Sequence, residues 1–239
     1  MSRRQARSNT TGAAAIAGTI REIHRRLARA YGPLTPPRRW EPLDELVLTI
    51  LSQNTSDLNS DRAYAALRER FPKWEAVAAA RPAQVAAAIR IGGLAKVKAP
   101  RIVAVLREIR LREGGFDLSW MHDAPDQELE EYLSSLPGVG PKTVACVLAF
   151  SLGRPAIPVD THVHRVATRL GWIAPGMSAA KAHVALAELI PPRLRVPLHV
   201  GFIRHGRTLC KAGQPLCEDC PLQDLCPTAP AVLGVVSSG

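Results

Sequence analysis

Apolar residues recur at helical spacing along almost the whole chain, and no stretch alternates convincingly as a half-buried strand would. That pattern predicts an all-α fold. The 239 residues are enough for one large or two modest domains, and a 46% apolar share is ordinary for a globular core. Helical segments are expected at about 13–31, 43–51, 57–71, 74–80, 82–91, 99–112, 126–136, 141–152, 160–170, 179–189 and 198–209. The run Leu43–Leu51 is nearly continuous in apolar residues and reads as a buried central helix. Asp57 reads as a cap for the helix that follows. Leu129, Tyr132, Leu133 and Leu136 fall on one face and lead straight into a glycine turn.

That turn is Leu136-Pro-Gly-Val-Gly-Pro-Lys142. Gly138 and Gly140 permit a tight hairpin and close approach of another backbone. Pro141 suits the first helical position, where its missing N–H costs nothing. The exposed amides of the new helix suit an anion such as a phosphate. Lys142 then stands in the first turn against the helix dipole, a placement that eases loss of its proton. Only a neutral amine is a nucleophile. The plainer alternative is a lysine that binds phosphate and does no chemistry. Gly92-Gly93-Leu94 forms a second, weaker turn of the same kind.

The net charge of +10 favours a polyanionic partner, nucleic acid first. No apolar run approaches the roughly 20 residues needed to span a bilayer. With no signal-peptide pattern either, the expectation is an intracellular protein without a membrane partner, cytoplasmic or nucleoid-associated if bacterial. Residues 1–12 read as a basic disordered arm, a composition shared by transit peptides, and 227–239 as a flexible tail.

Four of the five cysteines, Cys210, Cys217, Cys220 and Cys226, lie close together. Without a secretory signal, structural disulfides are disfavoured. The spacing fits a zinc site or an iron–sulfur cluster equally. Cys146 lies on a buried helix and reads as a small core residue.

Taken in order, these features resemble the endonuclease III branch of the helix-hairpin-helix DNA glycosylases over about residues 40–227. Leu136–Thr143 is similar to the family's hairpin with its catalytic lysine. Val159-Asp160-Thr161-His162-Val163-His164-Arg165-Val166 is similar to the segment with its catalytic aspartate. His205-Gly206-Arg207 runs into a cysteine loop with the spacing of the family's 4Fe-4S site, and Leu51–Asp57 resembles its substrate-proximal turn.

The resemblance implies two helical domains flanking a DNA-binding cleft. One is a six-helix barrel carrying the helix-hairpin-helix motif, about 43–155; the other is a 4Fe-4S cluster domain made of 13–42 and 156–226. It implies a monomer that acts on damaged double-stranded DNA as a DNA glycosylase and AP lyase for oxidised pyrimidines. Lys142 would be the Schiff-base nucleophile and Asp160 its assistant, and the four cysteines would hold the 4Fe-4S cluster. Leu94 would wedge into the base stack, unless it is a core leucine after a turn. Gln53 or Asn54 would fill the gap left by the flipped base, unless either caps a helix. Leu136, Gly138, Val139, Gly140, Thr143 and His162 would complete the DNA contacts. His162 and His164 read as DNA-contacting or packing residues, and Asp160 also suits a helix N-cap. Lys96, Lys98, Arg101, Arg207 and Lys211 read as phosphate contacts.

Ala95-Lys96 stands where well-known members carry Tyr-Asn, and Gln53-Asn54-Thr55 replaces Ala-Gln-Ala. Both changes flank the lesion pocket and leave open an AP lyase of narrow lesion range. An adenine-mismatch glycosylase is the nearest rival, but that branch has a glutamate where Thr49 stands. A non-catalytic, metal-stapled DNA-binding module is the alternative from another class.

Overall fold

The computed structural model describes residues 18–36 and 39–234, and every regular element among them is a helix. The chain divides into two compact units, one of Arg38–Arg154 and one of Met1–Pro37 with Pro155–Gly239. The predicted arm at 1–12 and the predicted helix start at Ala13 lie outside the described residues. Helix α1 runs over 18–31, buries Ile20, Ile23 and Leu27, and ends at Gly32, whose φ of +75° only glycine adopts easily.

The Arg38–Arg154 unit is built around α2 (Pro42–Ser52), which packs against α3 (Asp57–Arg70) and against the helices α6 (Ala95–Glu113) and α8 (Pro141–Cys146) further along the chain. Leu43, Leu46, Val47, Ile50 and Leu51 are all buried, as the apolar run requires. The lead-in to α2 joins this core, because Trp40 packs edge-on against Tyr64 at 5.2 Å. The cap of α3 is Ser56 rather than Asp57: Ser56 Oγ accepts from the Asn59 N–H. Asp57 sits one residue in, where its charge suits the dipole.

After α4 (Trp74–Ala79) and α5 (Pro82–Ala88), a single 3-10 turn at Arg90–Gly92 leads to α6 (Ala95–Glu113). Helix α6 starts four residues before the predicted Ala99, with Pro100 inside it. Leu94 makes this possible by taking the left-handed conformation and accepting the Val97 and Lys98 N–H groups. Helix α7 (Asp126–Ser135) buries Leu129 and Leu133, and α8 (Pro141–Cys146) widens into a π turn at Val147–Ser151 instead of continuing as one α-helix. Residues Thr143 to Ala149 are buried without a break.

The second unit adds α9 (Thr161–Arg169), α10 (Ala179–Leu189), α11 (Pro192–Thr208) and the short α12 (Ala229–Val232). Its core joins Ile20, Ile23 and Leu27 of α1 to Val163, Val166, Leu186, Leu198 and Phe202. Helix α11 begins six residues before the predicted Leu198 and runs through Pro197; Arg195 secures its first turns by donating to the Ile190, Ala187 and Pro155 carbonyls. The stretch expected to be a flexible tail is held in place as far as α12. Ala229 is buried and Thr228 Oγ1 donates to the Arg169 carbonyl at 2.7 Å.

Candidate active site and metal centre

The hairpin between α7 and α8 is set by backbone geometry. Leu136 is buried and accepts the Val139 N–H at 3.2 Å, and Gly138 has φ +73°. A Cβ on Gly138 would lie 2.9 Å from Arg101, whose side chain crosses the turn. The Arg101 Nη1 also donates to Gln53 Oε1 at 2.7 Å, so Arg101 spans from the hairpin to the 53–57 turn. The Gly140 carbonyl accepts from the Thr143 and Val144 N–H groups, and no side chain caps α8. Thr143 and Val139 are both buried.

Lys142 is half-buried in the first turn of α8. Cys146, one turn on, is buried as predicted. Burial pushes its thiol up; the Lys142 charge opposes that rise and the Glu45 charge adds to it. Glu45 is the functional-site neighbour that sequence reasoning missed. It is 6% exposed on α2, its Oε1 accepts from Thr49 Oγ1 at 3.0 Å, and burial pushes its carboxyl up to about 7 against the opposing pull of Thr49 and Lys142. The available signal was two polar residues four apart on one face of an otherwise apolar helix.

Two turns of the same unit carry backbone strain. Asn54 (φ 52°) and Leu94 (φ 49°) are the non-glycine residues with positive φ among the described residues. Such conformations persist where surrounding structure enforces them, and they cluster at functional sites. Leu94 is 52% exposed and so is not a core leucine. Neither Gln53 nor Asn54 caps a helix through its side chain: Gln53 is held by Arg101, and Asn54 is exposed. A Cβ at Gly92 would meet the Ala63 Cβ at 2.9 Å, so α3 lies against this turn. Lys98 corrects the sequence reading. It is 1% exposed, and its Nζ donates to the Leu51 carbonyl at 2.6 Å and the Gly92 carbonyl at 2.8 Å. It braces the two strained turns and is not a phosphate contact, whereas Lys96, Arg207 and Lys211 are exposed.

Asp160 belongs to the other unit. Its Oδ1 caps α9 by accepting the Val163 N–H at 2.8 Å, which fixes the carboxylate in place. His162 Nδ1 lies 3.0 Å from Arg165 and packs on Gly206, where a Cβ would approach it to 3.0 Å. His164 Nε2 donates to the Met177 carbonyl at 2.7 Å and so packs rather than faces solvent.

Cys210, Cys217, Cys220 and Cys226 line one cavity, together with Val166, Leu170, Leu209 and Leu222. Among the described residues no three donors converge as a lone metal ion needs. Four sulfurs spread around an apolar cavity fit the larger inorganic core of a cluster. The surroundings are those of thiolate acceptors. Arg169 Nη1 donates to Cys210 Sγ at 3.2 Å, and the Leu222 N–H donates to Cys220 Sγ at 3.4 Å. Burial pushes His205 down to about 4, so its ring is neutral. Tyr31 OH meets His205 Nδ1 at 2.9 Å, and His205 Nε2 lies 3.6 Å from Cys220 Sγ. Arg26 clamps the same loop to α1 through Asp224 and the Pro221 carbonyl.

A glycine hairpin feeding a lysine-bearing helix, with a cluster-holding cysteine loop in the companion unit, defines a helix-hairpin-helix DNA-repair protein with an iron–sulfur domain. Residues 47–192 match the model of the HhH-GPD superfamily base excision DNA repair proteins, and residues 210–226 match the iron–sulfur binding domain of endonuclease III. The chain is 36% identical to endonuclease III of Thermotoga maritima, over 86% of this chain and 89% of that one. It is 40% identical to the Arabidopsis thaliana protein named "Putative DNA glycosylase At3g47830", over 75% of this chain but only 64% of that relative's length. A solved trapped covalent endonuclease III–DNA intermediate superposes with a TM-score of 0.78 at 28% identity, over 91% of this chain and 98% of that one. The chain belongs to the endonuclease III family of base-excision-repair DNA glycosylases and AP lyases, and its cofactor is a 4Fe-4S cluster. Among the described residues no helix is long and apolar enough to cross a membrane.

Proposed function

We propose that the protein, as a monomer, excises oxidised pyrimidines from damaged double-stranded DNA and cleaves the resulting abasic site. The observation that carries this reading is Lys142, half-buried in the first turn of the helix that the Gly138 hairpin opens. The target nucleotide must leave the stack before a side chain can reach its sugar. Leu94, exposed and strained at the tip of its turn, enters the gap, and Gln53 or Asn54 meets the orphaned base. The α8 amides and the Gly138–Gly140 backbone hold a phosphate, flanked by Leu136, Val139 and Thr143. His162 adds a further DNA contact.

The neutral Lys142 amine attacks C1′, and the glycosidic electron pair leaves with the base, which takes up a proton. The nitrogen loses a proton as the sugar ring opens to the Schiff base. Removal of a C2′ proton then drives β-elimination, which expels the 3′ phosphate. Asp160, held in place as a cap, stabilises positive charge on the sugar and assists proton transfers. The cysteines hold a cluster that staples the loop, and no step of this chemistry uses electron transfer.

Borohydride trapping tests the reading. The wild-type protein gives a covalent adduct on abasic and oxidised-pyrimidine duplexes, and Lys142→Ala gives none. A cluster-loaded, folded protein that never forms an adduct refutes it. An adduct on abasic duplex alone moves the assignment to an AP lyase of narrow range.

A further inference from the structure

Helix α2 presents two buried polar side chains toward α8, Glu45 (6% exposed) and Thr49 (3% exposed), within an otherwise apolar face. An ionised carboxylate taken out of water costs several kcal/mol unless a partner compensates it. Thr49 supplies one hydrogen bond, to Oε1 at 3.0 Å, and a neutral hydroxyl cannot neutralise a charge. The cation that acts on the Glu45 carboxyl is Lys142, and both charges also act on the Cys146 thiol between turns of α8. The buried titratable groups of the other helices packed on α2 have partners of their own. Tyr64 of α3 donates to Asp44, and Lys98 of α6 donates to backbone carbonyls. Buried Glu45, Thr49 and Cys146 therefore form one polar island with the half-buried Lys142 where α2 packs on α8.

We propose that Glu45 is a positioning residue for Lys142, holding its amine at the inner side of the hairpin helix and setting the pH at which that amine loses its proton. The inference rests on the reading of Lys142 as the nucleophile. The physical sense is Coulombic. An anion beside an ammonium favours the charged form, so the amine is released for attack at a higher pH with Glu45 ionised than with a neutral side chain in its place. Orientation follows from the same attraction, which biases the long lysine stem toward the α2 side of the hairpin helix.

The test is the pH profile of single-turnover Schiff-base trapping on an abasic duplex, using the cluster-loaded full chain. In Glu45→Gln, which keeps the shape and the Thr49 hydrogen bond, the midpoint of the rise in rate moves to lower pH by about one unit. Its plateau falls several-fold, because the amine is less well held. Glu45→Asp, which keeps the charge, retains a midpoint near wild type and provides a second variant if the first is poorly folded. A Glu45→Gln midpoint equal to wild type, with or without a lower plateau, overturns the proposal and leaves Glu45 as a packing residue. Wild type that never traps, or Lys142→Ala that still does, instead overturns the nucleophile assignment itself, so the two failures are distinct.

Discussion

Leu94 holds a conformation that costs a leucine about 1 kcal/mol relative to glycine, and it exposes half its surface while doing so. Leu94→Gly is therefore expected to be neutral to slightly stabilising in thermal unfolding, yet to slow excision at least tenfold through loss of the wedge. A core leucine would show the opposite, with lost stability and spared activity. Lys98 and Lys96 separate in a different measurement. Lys98→Met leaves the Leu51 and Gly92 carbonyls buried without their donor and costs about 2–4 kcal/mol in unfolding free energy. Lys96→Ala leaves stability alone and lowers the slope of log affinity against log salt by about 1 if that exposed side chain meets a phosphate. Glu45 carries a stability signature as well. Its folded pKa lies above the unfolded value, so the folded state binds the extra proton, and stability falls as pH rises from about 4.5 to about 7. Glu45→Gln should raise the unfolding temperature at pH 8 and leave it nearly unchanged at pH 4.

At the scale of an element, α9 shows how one residue can serve structure and chemistry together. Asp160 caps the helix through one oxygen, and an Asn accepts the same Val163 N–H without the charge. Asp160→Asn should keep the unfolding temperature close to wild type while lowering trapping by more than a hundredfold. Asp160→Ala should lose both, with about 1 kcal/mol of stability gone. If Asp160→Asn retains full activity, the carboxylate is a cap and nothing more. Helices α6 and α11 carry a lesson about reading prolines. Pro100 and Pro197 lie well inside helices that begin four and six residues earlier than expected. A proline interior to a helix is costly by itself. Here Leu94 and Arg195 secure the starts of these helices through backbone carbonyls and amides that the local sequence does not announce.

Across the molecule, each unit has its own core, and the four cysteines belong to one of them. Cys226→Ser is expected to abolish the visible absorption of the cluster. It should also remove amide-exchange protection from α9, α11 and α12 before the Arg38–Arg154 unit loses any. Uniform loss of protection across both units would show instead that they unfold as one.

The all-helical class, the glycine hairpin, the Asp160 cap and the cysteine loop were legible along the chain, because each is written in residues a few positions apart. Helix periodicity, capping and ligand spacing are local, and local geometry follows local sequence. The charge coupling of Glu45 with Lys142, Lys98 bridging Leu51 and Gly92, and Arg101 spanning Gln53 and Gly138 were not legible. Each joins turns or helices far apart in the sequence, and burial and charge act through space. The sequence by itself determined which elements form and which groups are available for chemistry. Tertiary packing alone decided which lysine is a buried strut and which buried carboxyl shares its electrostatics with the candidate nucleophile.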